Sequence, residues 1–66
     1  MQDAILFAAS VVGSQALLAK ELGVHRTTVN SWVHGRNKIP AETAIKIEKI
    51  TNFAVTRQDL RPDLFE

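Results

Sequence analysis

The glycine at position 23 limits the folds open to this chain more than any other residue. It follows residues 15–22, a stretch free of Gly and Pro in which Leu18 and Leu22 lie four residues apart on one helical face. Glycine adopts the left-handed backbone conformation that ends a helix, and a second helix can begin about three or four residues later. Ser14 can cap the start of the first helix. The sequence therefore predicts two short helices joined by a tight turn.

The second helix of this pair is predicted from residue 25 or 26 to residue 34. At about 100° per residue, its Thr28, Val29 and Trp32 side chains fall on one, mostly apolar face, so Trp32 is predicted to be buried rather than to stack on bases. The opposite face carries no carboxylate and consists of the hydrogen-bonding residues Arg26, Thr27, Asn30, Ser31 and His34. An ordinary exposed helix face mixes Glu with Lys, whereas Thr, Asn, Ser and His are mediocre helix formers. The pattern favours a face selected for binding.

The remaining segments also have helical patterns. Asp3–Val12 is apolar nearly all round, so this helix is either buried on several sides or in contact with a partner chain. Pro40 suits the first turn of a helix that runs to about Thr51. After this helix, Thr56 and Asp59 resemble a capping pair at the start of a last short helical turn. The predicted core residues of the Pro40–Thr51 helix are Ala44, Ile45, Ile47 and Ile50. No strand pattern competes, so the fold class is all-α, a compact arrangement of four to five helices.

Size and composition exclude several classes of protein. The chain of 66 residues has room for one domain, residues 1–66, and its zero Cys content excludes a disulfide framework and a thiolate zinc site. His25 and His34 lie nine residues apart on opposite sides of one helix, so they cannot form a metal or acid–base pair within it. No Gly-rich phosphate loop or pair of catalytic acids is present. We therefore expect a protein that is not an enzyme and uses no metal or other cofactor.

The apolar N-terminal segment is too short to cross a membrane. Residues 4–12 contain only one polar residue, but a membrane span needs about 20 apolar residues. A signal peptide would carry positive charge before this run, whereas Met1, Gln2 and Asp3 bring a negative charge. The sequence therefore predicts a cytoplasmic protein without a membrane partner.

Charge is distributed unevenly along the chain. Between Glu21 and Glu42 there are twenty consecutive positions without an acidic residue, and they include Arg26, Arg36 and Lys38. The rest of the chain has more acidic than basic residues. One connected basic stretch is expected of a domain that docks one face on phosphates. The alternative is a solvated polar loop in which acids are absent by chance.

Residues 15–33, QALLAKELGVHRTTVNSWV, resemble the helix-turn-helix of phage Cro-like repressors in the spacing of Ala19, Gly23 and Val29. Further segments, residues 40–42, 47–48, 55–56 and LRPDLF at 60–65, are similar to YdaS-type antitoxin and Cro-like prophage regulators. The resemblance implies a Cro/repressor-like helix-turn-helix domain, with the motif at about residues 15–34. It also implies that the protein binds DNA and represses transcription, and some members of the family are proposed to be antitoxins.

The resemblance assigns DNA-contacting roles to individual residues. The implied base-reading residues are Arg26, Thr27, Asn30 and Ser31. The implied phosphate or backbone contacts are Gln15, His25, His34, Arg36, Asn37 and Lys38. Arg can donate two hydrogen bonds to guanine and Asn can bridge adenine, whereas a loop Lys such as Lys38 would strengthen binding to every sequence alike. His25 departs from the usual Ser or Thr, which casts doubt on a side-chain cap there. Each residue has an alternative interpretation as an ordinary exposed polar side chain.

Four other basic residues, Lys46, Lys49, Arg57 and Arg61, are interpreted as solvated surface. The expected partner is a double-stranded DNA operator in the nucleoid. Since one recognition helix reaches few base pairs, we expect a homodimer, with the first helix, Leu64 and Phe65 as candidates for its interface. The alternative is a protein-interaction module that binds a toxin or partner regulator through its apolar surfaces.

Overall fold

The computed structural model describes residues 3–65. They form five α-helices, and no β-strand occurs among them, which confirms the all-α prediction. The helices are, in chain order, α1 (Asp3–Val12), α2 (Gln15–Leu22), α3 (Arg26–Val33), α4 (Ala41–Ile50) and α5 (Arg57–Leu60). The predictions that involve Met1, Gln2 and Glu66, namely the absent signal peptide and the limits of a 1–66 domain, fall on positions outside the described residues.

Local contacts fix both ends of α2 and the start of α3 where the sequence predicted them, while α3 ends at Val33, one residue earlier than predicted. The Ser14 hydroxyl accepts a hydrogen bond from the Leu17 N–H at 3.1 Å, and Gly23 ends α2 in the left-handed conformation with φ of 71°. His25 lies at the N-cap of α3 and makes no side-chain capping bond. The predicted cap at Ser14 and the predicted turn at Gly23 are therefore confirmed, and His25 does not replace the capping bond that Ser or Thr commonly makes at its position.

The bounds of α4 differ by one residue at each end from those predicted. Pro40 has an extended ψ of 148° and its carbonyl accepts a hydrogen bond from the Ala44 N–H at 2.9 Å, so it caps the helix instead of starting it. Thr51 is likewise the C-cap residue. After α4, the Thr56 hydroxyl and the Asp59 carboxylate each accept a hydrogen bond from the other residue's N–H. The predicted capping pair of α5 is confirmed.

A single apolar core receives side chains from all five helices. Helix α2 packs against α1 and α3 through the stripe of Leu18, Ala19 and Leu22. The buried apolar residues are Ile5, Ala8, Ala9, Leu18, Ala19, Leu22, Val29, Trp32, Ile39, Ala44, Ile47, Val55 and Leu60. Burial of Trp32 confirms its prediction as a core residue. Of the residues predicted as the core of α4, Ala44 and Ile47 are buried, and Ile50 is half-buried and packs against the core. Ile45 is also only half-buried and lies to one side of the Ala44 and Ile47 stripe, which corrects its prediction as a core residue.

Arg57 is a structural residue and not the solvated cation that the sequence suggested. Its Nε and Nη2 donate to Glu48 Oε1 at 3.1 and 2.9 Å, and its backbone N–H donates to Glu48 Oε2 at 2.9 Å. Its guanidinium also lies 5.6 Å from the centre of the Phe65 ring. Glu48 is buried, and these donors satisfy both of its oxygens. The ion pair therefore ties α4 to α5, while Lys46 and Lys49 are exposed as predicted.

We expect the stability of the fold to decrease as the pH falls below about 5. Hydrogen bonds from Arg57 lower the pKa of Glu48 below its ordinary value of 4.5, and hydrogen bonds from Arg61 lower the pKa of Asp63 below its ordinary 3.8. Such carboxyls stabilise the fold fully above their unfolded-state pKa, and this contribution is lost as the pH falls through the folded-state pKa. Urea unfolding midpoints from about pH 7 to about pH 2 measure the loss.

Glu48→Gln is the matched variant for this prediction. It should lower the urea midpoint at about pH 7, because an amide cannot pair with the Arg57 charge, and it should make the midpoint less dependent on pH. A pH dependence as steep as that of the wild type would contradict the role of Glu48.

None of the helices within residues 3–65 is by itself long and apolar enough to cross a membrane. Helices α1 and α2 together reach the length and composition of a bent span, with an angle of 87° between them. In the fold, however, Ile5, Ala8 and Leu18 of these two helices are buried in the core.

Candidate nucleic-acid interface

The outward face of α3 presents the polar residues that the sequence singled out. Val29 and Trp32 anchor the opposite side of α3 in the core, which fixes how the helix is rotated about its axis. Arg26 and Thr27 are exposed, and Asn30 is half-buried. This arrangement leaves the long Arg26 side chain free to reach a partner at the start of the helix.

Ser31 is more constrained than the sequence suggested. Its hydroxyl donates to the Thr28 carbonyl at 2.7 Å, and the residue is half-buried. A serine hydroxyl has one proton and two acceptor lone pairs. With its proton used inside α3, Ser31 can accept hydrogen bonds from a partner but has no free donor to offer.

A shallow groove of about 390 Å³ brings residues of α3 and the following loop together. Four residues that the sequence singled out line it, namely Thr27, Ser31, Asn37 and Lys38. Thr28, Trp32 and Pro40 complete the lining. The sequence placed Thr28 on the inward face, but it is half-buried at the edge of the groove, because its wheel position is at the margin of the core. The groove therefore joins the proposed base-reading and phosphate-contacting sets.

The loop between α3 and α4 is connected to the end of α3 by backbone bonds. Gly35 has φ of 70°, and its N–H donates to the Trp32 carbonyl at 3.1 Å. The next amide, that of Arg36, donates to the Ser31 carbonyl at 2.9 Å. Ile39 is buried and anchors the other end of the loop. The side chains of His34, Arg36, Asn37 and Lys38 are all exposed along it.

Gln15 and His25 lie apart from the groove lining. Gln15 is the half-buried first residue of α2, and His25 is exposed at the N-cap of α3. Both are therefore at helix N-termini, where backbone N–H groups point outward. Among residues 3–65 no group of three or more His, Cys, Asp or Glu side chains could hold a metal ion.

A carboxylate from the C-terminal segment lies beside the basic loop. Asp63 Oδ2 is 3.6 Å from Lys38 Nζ, and Arg61 donates to both Asp63 oxygens at 2.8 and 2.7 Å. These bonds lower the pKa of Asp63 far below its ordinary value, and they raise that of Arg61. Residues 22–41 contain no acidic residue, but the fold places the Asp63 carboxylate next to them.

Arg61 is not the solvated surface residue that the sequence suggested. Its side chain is only 14% exposed, and its Nη1 donates to the Ile39 carbonyl at 2.7 Å. The only signal in the sequence is the RPD triplet at residues 61–63. It gives no indication of a contact with a loop more than twenty residues earlier, so sequence reasoning missed both Arg61 and Asp63.

Comparisons with known proteins agree on one family and one fold. A family model described as bacterial toxin YdaS matches residues 5–66. A protein of Escherichia coli strain K12, named "Putative transcriptional regulator YdaS", is 42% identical over 57 residues, which are 86% of this chain. The chain spans 58% of the length of that relative. The solved structure of the Cro protein from prophage element Xfaso 1 in Xylella fastidiosa strain Ann-1 is 43% identical. The two structures superpose with a TM-score of 0.87, and the match covers 96% of this chain and 95% of the Cro chain.

Proposed function

Because the chain belongs to the YdaS family and has the fold of a Cro protein, we propose that it is a sequence-specific, double-stranded DNA-binding transcriptional regulator. The family and the Cro-like helical fold predicted from the sequence are confirmed. The observation that carries the proposal is the outward face of α3, which has no carboxylate and continues through the groove into the basic loop. Neither named relative is described as an enzyme, and the proposal involves no catalytic step.

In the proposed complex α3 lies in the major groove. Arg26 donates to guanine O6 and N7, and Asn30 bridges adenine N6 and N7. Thr27 contacts a base edge or a thymine methyl group, and Ser31 accepts a hydrogen bond from a base amino group. The phosphate-contacting set remains Gln15, His25, His34, Arg36, Asn37 and Lys38. The complex forms on an operator near a prophage promoter and places the protein at the nucleoid.

The test is fluorescence-polarisation binding to two duplexes, one from the region upstream of the gene and one of the same composition with scrambled sequence. Measurements from about 50 to about 200 mM salt separate phosphate-dominated binding, which falls steeply, from base-specific binding. We expect tight binding to the upstream duplex that survives at the higher salt. Equal binding to both duplexes that salt abolishes would overturn the proposal of sequence-specific recognition.

The proposal includes a homodimer, since two recognition helices about 34 Å apart read a two-fold operator. Helix α1 supports it, because Leu6, Phe7 and Val11 are large apolar residues that are each more than 40% exposed. Leu64 is also exposed. Phe65 is a weaker candidate than the sequence suggested, because it packs against the core.

Phe7→Glu should shift the protein from dimer to monomer in sedimentation-velocity experiments, because a charge would be placed in the apolar contact. The melting temperature should stay close to that of the wild type, since the Phe7 side chain is 54% exposed. Glu21→Gln, an exposed change on α2, serves as the control. A wild type that sediments as a monomer at all concentrations would contradict the dimer.

The same exposed face of α1 favours a second candidate function, a protein-interaction module that binds a toxin or a partner regulator. The matching family is described as a toxin, whereas the sequence resemblance suggested an antitoxin. Binding to a protein does not require the α3 face to lack carboxylates, so the absence of acidic residues there is not explained by this alternative. The two-duplex experiment distinguishes the candidates, because an interaction module would not discriminate between the DNA sequences.

A further inference from the structure

A fixed negative charge borders the basic loop of the proposed DNA-binding face. The Asp63 side chain is 46% exposed and the Lys38 side chain is 77% exposed, and Asp63 Oδ2 lies 3.6 Å from Lys38 Nζ. No acidic residue of α3 or of the loop itself reaches this position, because residues 22–41 contain none. The tertiary fold therefore places beside the loop an Arg61–Asp63 ion pair whose exposed carboxylate lies next to Lys38.

Arg61 holds Asp63 in this place. It donates to both carboxylate oxygens through Nε and Nη2, at 2.8 and 2.7 Å, which is the two-pronged geometry that restricts a carboxylate most. Its remaining terminal nitrogen, Nη1, donates to the Ile39 carbonyl at 2.7 Å, at the end of the same loop. The Arg61 side chain is only 14% exposed, and all three of its nitrogens donate within the fold. Arg61 is therefore a positioning residue for Asp63.

We propose that Asp63 limits the affinity of the protein for DNA. Its carboxylate, which Arg61 holds beside Lys38, repels the DNA phosphates that approach this part of the loop. Double-stranded DNA carries about one negative charge per 1.7 Å of its axis, so a carboxylate at the edge of the contact surface repels it. The contact with Lys38 also reduces the counterion release that this lysine can contribute. The inference rests on the proposed DNA-binding function.

Asp63→Asn tests the inference. The amide removes the charge and keeps an oxygen that can accept from Arg61, so the Kd for every duplex should fall about 2- to 5-fold at about 50 mM salt, the range of an exposed ion pair. The slope of log affinity against log salt should become steeper by up to about 0.9. Asp59→Asn is the matched control, because it makes the same charge change at a carboxylate that is bonded to the Thr56 N–H and not to a cation. An equal gain from both variants, or no gain from Asp63→Asn, would overturn the inference.

Lys38→Ala in the wild-type background provides a second measurement that does not depend on the folding of Asp63→Asn. There it should change the slope of log affinity against log salt by much less than the value of about 0.9 expected for one free phosphate contact. This expectation revises the role of a full phosphate contact that the sequence gave to Lys38. In the Asp63→Asn background the same change should have its full effect. A full effect already in the wild-type background would overturn the inference.

The two proposals fail in different ways. If wild type and Asp63→Asn both show no binding to either duplex, the proposed function is wrong, and the inference fails with it. If the wild type binds the upstream duplex specifically but Asp63→Asn behaves like Asp59→Asn, only the role of Asp63 is wrong.

Discussion

Replacing Leu18 with alanine is expected to remove most of the stability of the fold. Leu18 is completely buried in the stripe that joins α2 to α1 and α3. A buried Leu→Ala change costs about 3–5 kcal/mol, because the transfer energy of the side chain is lost and a cavity remains. A core in a chain of this size supplies roughly 3–5 kcal/mol in total. Circular dichroism at 37 °C should therefore show a largely unfolded variant.

Leu17→Ala is the control for this experiment, because it makes the same chemical change at the neighbouring position. Leu17 is 47% exposed, and alanine is the better helix former, so the free energy of unfolding should change by less than about 0.5 kcal/mol. Urea unfolding of both variants measures the difference. Equal losses at the two positions would contradict the packing of α2 described above.

Arg26→Ala is expected to weaken recognition of one base pair and to leave binding to scrambled DNA nearly unchanged. A two-pronged arginine–guanine contact contributes about 1–3 kcal/mol of discrimination, or roughly 5- to 150-fold in Kd. The measurement is the Kd of wild type and variant for the upstream duplex and for duplexes with single base-pair changes at its guanines. One of those changes should have no further effect in the variant.

Arg36→Ala is the matched comparison, since it removes the same side chain from the exposed loop after α3. It should weaken binding to every duplex by a similar factor and reduce the salt slope by about 0.9, as expected for the loss of one phosphate contact. If the two variants lose affinity equally on all duplexes, the division between base-reading and phosphate-contacting residues is wrong.

Both ends of α2 and the start of α5 could be predicted because short-range interactions determine them. Ser14 caps α2 through a residue three positions later, and Thr56 and Asp59 cap α5 across the same spacing. Gly23 ends α2 because its lack of a side chain allows the positive φ that the turn requires. Each of these contacts depends only on residues a few positions apart, so the sequence contains them in full.

Exposure within an apolar segment was harder to predict. Leu17 and Leu18 have the same side chain, yet one is 47% exposed and the other fully buried, because they differ by about 100° around α2. In α1 the wheel has apolar residues on nearly every side. Packing against the other helices decides that Ile5 is buried and Phe7 is not.

The sequence by itself determined the all-α class, the helix-turn-helix and the polar outward face of α3, because periodicity and capping act over one or two helical turns. Only the tertiary structure decided which cations remain free. Arg57 and Arg61 are held by Glu48, Asp63 and a backbone carbonyl. These partners lie between two and 22 positions away along the chain. A local charge count cannot detect the Glu48–Arg57 pair or the bond from Arg61 to the Ile39 carbonyl, because helix packing brings these groups together.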